Sequence, residues 1–396
     1  MKRAIVLSGG GAKGAYQIGV WKALRKLKID YSIVTGTSVG ALNGAFLVQK
    51  DYYKAVHMWY HMSFSHVFEH MDGDYHTIDG KKNILLSYAK GVLNGGMDIS
   101  RLEKTLGKYL NVRRFYRSPI DFGLITVNVT DMKPVSIRKS EMKPEDLKDY
   151  LIASASCFPA FPVKEIHGKK YIDGGYYDNI PIRLAIELGA EEVIAVDLKA
   201  VGLKKKVKDR SIPITYITPR SDIGSFLVFD QTLARRAMRL GYYDTLKTFH
   251  KLEGNYYTFY PGEIKKLSQK YFQPFFQQLN LSKQDYLKHK NQNFDATVLE
   301  IMEFLGKSFS IPEDKVYSAR KFHRELKRKF RSTKLLDWQT LKDKIYQKLP
   351  DSPYMGMFLK YWCETKNRQE EIQERVHLLP MMKIAADYLE DFMTKN

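Results

Sequence analysis

Apolar residues fall in short blocks broken by glycine through the first half of the chain, and at helical spacing through most of the second. The block Ala4-Ile5-Val6-Leu7 within Arg3–Ser8 has the length and composition of a buried first strand. It passes into Gly9-Gly10-Gly11-Ala12-Lys13-Gly14 and then an amphipathic run from Tyr16 to Leu27. The same sequence of strand, glycine turn and helix recurs at Ile33-Val34-Thr35, Gly36-Thr37-Ser38-Val39-Gly40 and the apolar residues after it. Lys169–Asp173 reads as a short strand ending in a carboxylate and Gly174-Gly175. Ile182–Leu188 follows as a helix closed by Gly189, Glu192–Leu198 as another buried strand, and Ile212–Ile217 as a further one. Strand-length blocks alternating with helical periods predict a three-layer α/β/α domain with a mostly parallel sheet. From Leu233 onward the spacing is helical, and Pro261-Gly262 marks a break. The expected organisation is an α/β domain over 1–260 and a helical extension over 261–396.

The turns carry the candidate chemistry. Gly36 and Gly40 permit a tight strand-to-helix turn and close helix–strand approach, which leaves Ser38 exposed at a helix N-terminus. There the helix dipole and nearby N–H groups favour negative charge on the hydroxyl oxygen. The plainer reading of this pentapeptide is a turn with Ser38 as N-cap. The Gly9–Gly14 loop offers several backbone N–H groups, for a phosphate or for the oxyanion of an acyl transfer, with Lys13 adding a positive charge. Its spacing also fits the dinucleotide fingerprint. That fold, however, needs an acidic residue at the end of the second strand, where this chain has Thr35-Gly36-Thr37-Ser38 and carries Asp30 before the strand instead. Asp173, at a loop mouth, is a candidate base for a serine hydroxyl. An ordinary aspartate, with a pKa near ~3.9, needs desolvation to serve, and a tight turn is its bland alternative. His167 lies in a hairpin turn, Ile166–Lys169, and is expected to face solvent. His57 with His61, His66 with His70, and His76 beyond them have spacing that suits zinc on a helix, but no HExxH accompanies them. The aromatic-rich stretch from Asp51 to Met71 reads instead as a packed helix, a wall or lid over a pocket.

In this order the motifs resemble the patatin-like phospholipase family, over about the first 200 residues. Gly9–Gly14 is similar to the family's oxyanion loop, Gly36–Gly40 to its nucleophile elbow and Asp173–Gly175 to its base motif. Ala153–Val163 is similar to the block before the base strand, and Asp178-Asn179-Ile180-Pro181 to the turn after it. The resemblance implies an acyl hydrolase with a Ser38–Asp173 dyad, an oxyanion loop of Gly9, Gly10 and Gly11, and support from Lys13, Gly14, Gly36, Gly40, Gly174 and Gly175. It implies neither cofactor nor metal. Lys13 stands where the family more often has arginine, which keeps the charge but loses the planar fork for phosphate.

Composition adds a compartment and a surface. Two cysteines, Cys157 and Cys363, are too few for a disulfide framework, so a reducing compartment is expected. The first apolar run ends at Leu7, too short for a signal peptide, and no stretch reaches the about 18 apolar residues of a membrane span. The expectation is a cytoplasmic protein, peripheral on the inner membrane face. A formal net charge of +20 asks for an anionic partner. No zinc-finger spacing, RNP-like motif or recognition helix points to nucleic acid. An anionic membrane fits better, since each Lys or Arg near acidic lipid gains about 1 kcal/mol. Arg320–Arg331 places Phe322, Leu326 and Phe330 at i, i+4 and i+8 under a basic face, a helix for a membrane surface or for packing on the protein body. Lys204-Lys205-Lys206 with Lys208 reads as an exposed loop. The function expected is a phospholipase A or lysophospholipase acting on phospholipid. A thioesterase or small-ester hydrolase with the same dyad, and a non-catalytic lipid-binding protein, are the alternatives.

Overall fold

The computed structural model describes residues 1–69, 77–207, 209, 211–278, 294–345, 352–365 and 380–394. His70, His76 and Lys208 lie outside them. The chain divides into two units, Met1–Thr248 and Phe249–Asn396.

The first unit is built on an eight-stranded sheet: β1 (Arg3–Leu7), β2 (Ile33–Thr37), β3 (Asp121–Asn128), β4 (Lys133–Arg138), β5 (Lys164–Ile166), β6 (Lys169–Asp173), β7 (Glu192–Val196) and β8 (Ile214–Ile217). The order is β5-β6-β3-β2-β1-β7-β8, with β4 paired to β3. Strands β3, β2, β1, β7 and β8 run parallel, whereas β4, β5 and β6 join antiparallel. Parallel strands need both faces covered, which is why Ala4–Leu7 and Val193–Val196 are apolar throughout and buried. Nine helices surround the sheet among the described residues: α1 (Ala15–Lys26), α2 (Val39–Val48), α3 (Tyr52–Tyr60), α4 (Ile78–Leu93), α5 (Ser100–Tyr109), α6 (Val112–Arg117), α7 (Leu147–Ser154), α8 (Ile182–Glu187) and α9 (Gln231–Thr248). Ile182 and Ala185 of α8 pack with Ala4, Val6, Val193 and Ala195 on one face. Gly44 of α2 lies against Val34, which points to the other face. The result is the expected three-layer architecture.

One feature of the pairing positions the site. Gly123–Asn128 of β3 pair with β4 along one edge, so β2 and β6 share the other. Strand β2 climbs β3 as far as Thr37 opposite Ile125, and β6 descends it as far as Asp173 opposite Thr126. The two strands therefore end head to head, and the residues that follow them meet.

Among its described residues the second unit is built of helices and a parallel ladder of two two-residue strands, β9 (Thr258–Phe259) and β10 (Val316–Tyr317), too short to leave alternation in the sequence. This ladder draws residues ahead of Pro261 into the second unit, so the chain divides twelve residues' worth earlier than at the proline–glycine break, directly after α9. The helix Ala319–Ser332 turns its stripe inward: Phe322, Leu326 and Phe330 are buried in the core with Tyr257, Phe259 and Trp362. His323 on the same face is held by Ala319 O and the Tyr388 hydroxyl, and burial pushes its pKa down to about 4. No described helix is long and apolar enough to cross a membrane.

Candidate active site

Ser38 sits between the last residue of β2 and the first turn of α2, with φ 56° and ψ −130°. A non-glycine residue held there costs of order 1–3 kcal/mol, which the surroundings must supply. They do so by hydrogen bonds and close packing. The Ser38 N–H donates to Ser154 Oγ (2.9 Å), whose hydroxyl donates to the Ile125 carbonyl of β3 (2.7 Å). A Cβ at Gly40 would collide with the Leu7 carbonyl, so only glycine lets α2 start this close to β1. Gly36 is similarly close to the backbone of Gly40.

Asp173 comes from the far side of the sequence but ends its strand beside Ser38. Its N–H donates to the Ser156 carbonyl (2.9 Å), and Oδ1 accepts from the Gly175 N–H (2.7 Å). Burial raises its pKa to about 6, against the lowering effects of hydrogen bonds from the Ser38 hydroxyl and from Gly175. A carboxylate with that pKa is charged at neutral pH yet basic enough to hold a proton briefly. Asp178, also buried and also raised to about 6, does not line the cavity. It accepts weakly from the N–H groups of Ile180 and Lys205 (both 3.3 Å). Geometry, and not acidity, separates the two carboxylates. Cys157 lies nearby, but burial holds its thiol at about 11, so it is not a thiolate at neutral pH.

The glycine loop divides by function. The Gly9 N–H, expected as part of an oxyanion loop, donates to the Asn179 carbonyl (3.0 Å). Among the described residues the Gly10 and Gly11 N–H groups donate to no protein acceptor, and both glycines line the cavity with Ser38. Lys13 is half-buried and does not line this cavity. Gly14 lies under Val39 and Trp59, and its carbonyl accepts from Asn43 Nδ2 (3.0 Å). Gly174 packs on the Ile125 carbonyl, while Gly175 lines the cavity.

The cavity itself has a volume of about 650 Å³. Ser38, Asp173, Gly10 and Gly11 lie on its wall, and most of the rest is apolar, including Leu42, Phe46, Met58, Trp59, Leu106 and Phe229. The stretch after Asp51 thus supplies wall residues. His57 and His61, 4.7 Å apart, sit elsewhere: His57 Nδ1 meets the Tyr109 hydroxyl (2.9 Å), and among the described residues no His, Cys, Asp or Glu cluster is arranged to hold a metal. His167 is on the exposed β5–β6 hairpin with Nε2 3.0 Å from Asp146.

Two buried polar residues, Asn43 and Gln17, were not singled out from sequence, and a third, Asn179, was named there only as part of a motif. Asn43 accepts from Trp59 Nε1 and donates to Gln17 Oε1 (both 2.8 Å), and Gln17 donates to the Ser8 carbonyl (2.8 Å), so one chain of amides ties the cavity wall to the glycine loop. Its signal is a lone asparagine in the otherwise apolar α2. Asn179, within the motif after Asp173, is buried against Gly9, Gly175 and Gly202 and lines the cavity, its Nδ2 without a partner among the described residues.

Residues 5–186 match the family model described as Patatin-like phospholipase. Lysophospholipase nte1 of Aspergillus terreus is 30% identical over 203 residues, which are 50% of this chain and 12% of that protein. Patatin-like phospholipase domain-containing protein 7 of Rattus norvegicus is 28% identical over 205 residues, 49% of this chain and 13% of that protein. Among solved structures, VipD from Legionella pneumophila aligns with a TM-score of 0.38 at 14% identity, covering 99% of this chain and 91% of that one.

Proposed function

With residues 5–186 forming a patatin-like phospholipase domain, we propose that the chain is a lipid acyl hydrolase of phospholipase A or lysophospholipase type. The observation that carries this reading is the meeting of Ser38 with the buried Asp173 on the wall of a largely apolar cavity of about 650 Å³. Such a cavity accepts a fatty-acyl chain and leaves the ester beside Ser38. Ser38 Oγ attacks the carbonyl carbon as its proton passes to Asp173. The carbonyl oxygen, now negative, takes hydrogen bonds from the Gly10 and Gly11 N–H groups. Collapse breaks the ester bond, and the leaving alcohol takes the proton from Asp173. Water then attacks the acyl-enzyme, with Asp173 again accepting the proton, and the fatty acid leaves as Ser38 is restored. The substrate class proposed is phospholipid, met at an anionic membrane that the +20 net charge favours.

The test is intact-mass measurement after treatment with a fluorophosphonate. One adduct on the wild type and none on Ser38→Ala is expected. A folded wild-type protein that takes no adduct removes Ser38 as an activated nucleophile and leaves a lipid-binding module.

A further inference from the structure

The cavity opens to solvent between Val92 of α4, Phe158, Tyr176 and the loop residues Val201 and Leu203, all of which line it and all of which are exposed. An opening ringed by apolar side chains is unusual on a protein bathed only in water. The ring extends along α4. Ile78, Leu85 and Val92 lie at i, i+7 and i+14, one stripe on the helix, with Leu86 and Leu93 on the adjacent one. Ile78 is 75% exposed, Leu85 70% and Leu93 85%, and Val201 across the opening is 94% exposed. The helix is held from its opposite side, where Gly80 and Ile84 are buried and the Tyr88 hydroxyl donates to the Leu227 carbonyl (2.5 Å). The apolar stripe is thus turned outward by the packing of the helix.

Exposed lysines accompany it: Lys82 lies on the same face, three and four residues before Leu85 and Leu86, Lys81 and Lys90 lie at its two sides, and Lys204 and Lys206 follow Leu203. Among the described residues, α4 carries Asp79 in its first turn, and Lys204 pairs with Asp197 (2.6 Å).

We propose that this rim, and not the basic helix of the second unit, is the surface that docks on a phospholipid aggregate. The apolar side chains enter to the depth of the acyl chains and the lysines stay at the phosphates, so that a lipid's acyl chain enters the cavity without crossing water. The proposal rests on the lipid acyl hydrolase reading, and it adds where the lipid surface is met. It also makes apolar insertion the main contribution, with charge as the lesser one.

The experiment compares the full chain with Leu85→Glu/Leu93→Glu, neither residue lining the cavity, and with the milder Leu85→Ser/Leu93→Ser. Binding is read by sedimentation with phosphatidylcholine vesicles, with and without phosphatidylglycerol. Chemistry is read separately on p-nitrophenyl butyrate, a monomeric ester. The expected result is a loss of vesicle binding of about tenfold or more for the glutamate pair and a smaller loss for the serine pair. Ester hydrolysis stays within about twofold of wild type, and Arg324→Gln/Arg328→Gln keeps its vesicle binding. Wild-type binding by the glutamate pair, loss of binding in the arginine pair instead, or a wild type that binds no vesicles overturns the proposal. Ester hydrolysis with vesicle binding indifferent to the rim sinks the rim alone. Rim-dependent binding without hydrolysis of ester or phospholipid sinks the hydrolase reading alone.

Discussion

Two amphipathic helices in this protein use their apolar residues in opposite ways. Ala319–Ser332 carries the narrower stripe under the more basic face and is the one a sequence reader would lay on a membrane, yet Phe322, Leu326 and Phe330 are buried in the core of the second unit. Helix α4 has no such basic face, and it leaves Ile78, Leu85, Leu86 and Leu93 in solvent beside the opening of the cavity. A stripe of apolar residues says that a helix has one face to hide. It does not say what hides it. In the second unit the cover is the rest of the core; for α4 it is the lipid surface proposed above.

With the chemistry proposed for the first unit, the contrast leaves the basic helix a structural duty, and it can be broken at several points. The largest effect is expected at the base. Asp173→Asn lowers kcat by at least about a hundredfold, the usual scale for lost general-base assistance. The same substitution raises stability at neutral pH, because a carboxylic acid whose pKa is raised on folding stabilises the folded state most at low pH and loses that contribution as pH rises through about 6. Calorimetry at pH 7.5, well above that range, tests the sign: a lower Tm for the variant contradicts the burial argument. Next comes Phe322→Ala, which empties part of the second core and costs about 3–5 kcal/mol of that unit's stability. Denaturant melts read the loss. Ester turnover per folded molecule is expected to stay unchanged, and a parallel fall in turnover would join the two regions that the comparison separates.

The pH profile follows in size. With Asp173 as base, kcat/KM falls about tenfold per pH unit below about 6 and is flat above it. A profile flat down to pH 5 would mean that Asp173 does not exchange the proton. The smallest effect is expected on the exposed face of the basic helix, where Arg324→Gln changes stability by no more than about 0.5 kcal/mol. A larger drop would reveal a partner for that face within the fold.

Much of the candidate site could be read in the chain because its parts sit where strands end. Ser38, Asp173 and the glycine loop are each flanked by a short apolar block and by glycines, and those are local signals. Other members carry no such mark. Gln17 looks like a solvent-facing polar residue of an amphipathic helix, and only its bond to the Ser8 carbonyl reveals it as a brace. Gly9 is indistinguishable from Gly10 in sequence. Its N–H is engaged because Asn179, far along the chain, returns to lie across the loop. The two-residue strands β9 and β10 are shorter than the alternation that would announce them, so the limit of the second unit was not visible at Pro261-Gly262.

What the sequence determined by itself was the set of local units: strand, glycine turn and helix at β1–α1 and β2–α2, the strand that ends in Asp173, and the residue types able to carry acyl transfer. Their periodicity and punctuation depend on neighbours a few residues away, so they can be read without the fold. Only the tertiary structure decided that Ser38 and Asp173 form one site, and which amphipathic stripe faces solvent. The first depends on β2 and β6 sharing one edge of β3, with Thr37 opposite Ile125 and Asp173 opposite Thr126. The second depends on what packs against the far side of each helix. Both are long-range pairings, in which burial and hydrogen bonding are fixed by partners distant in sequence, and a local pattern carries no record of those partners.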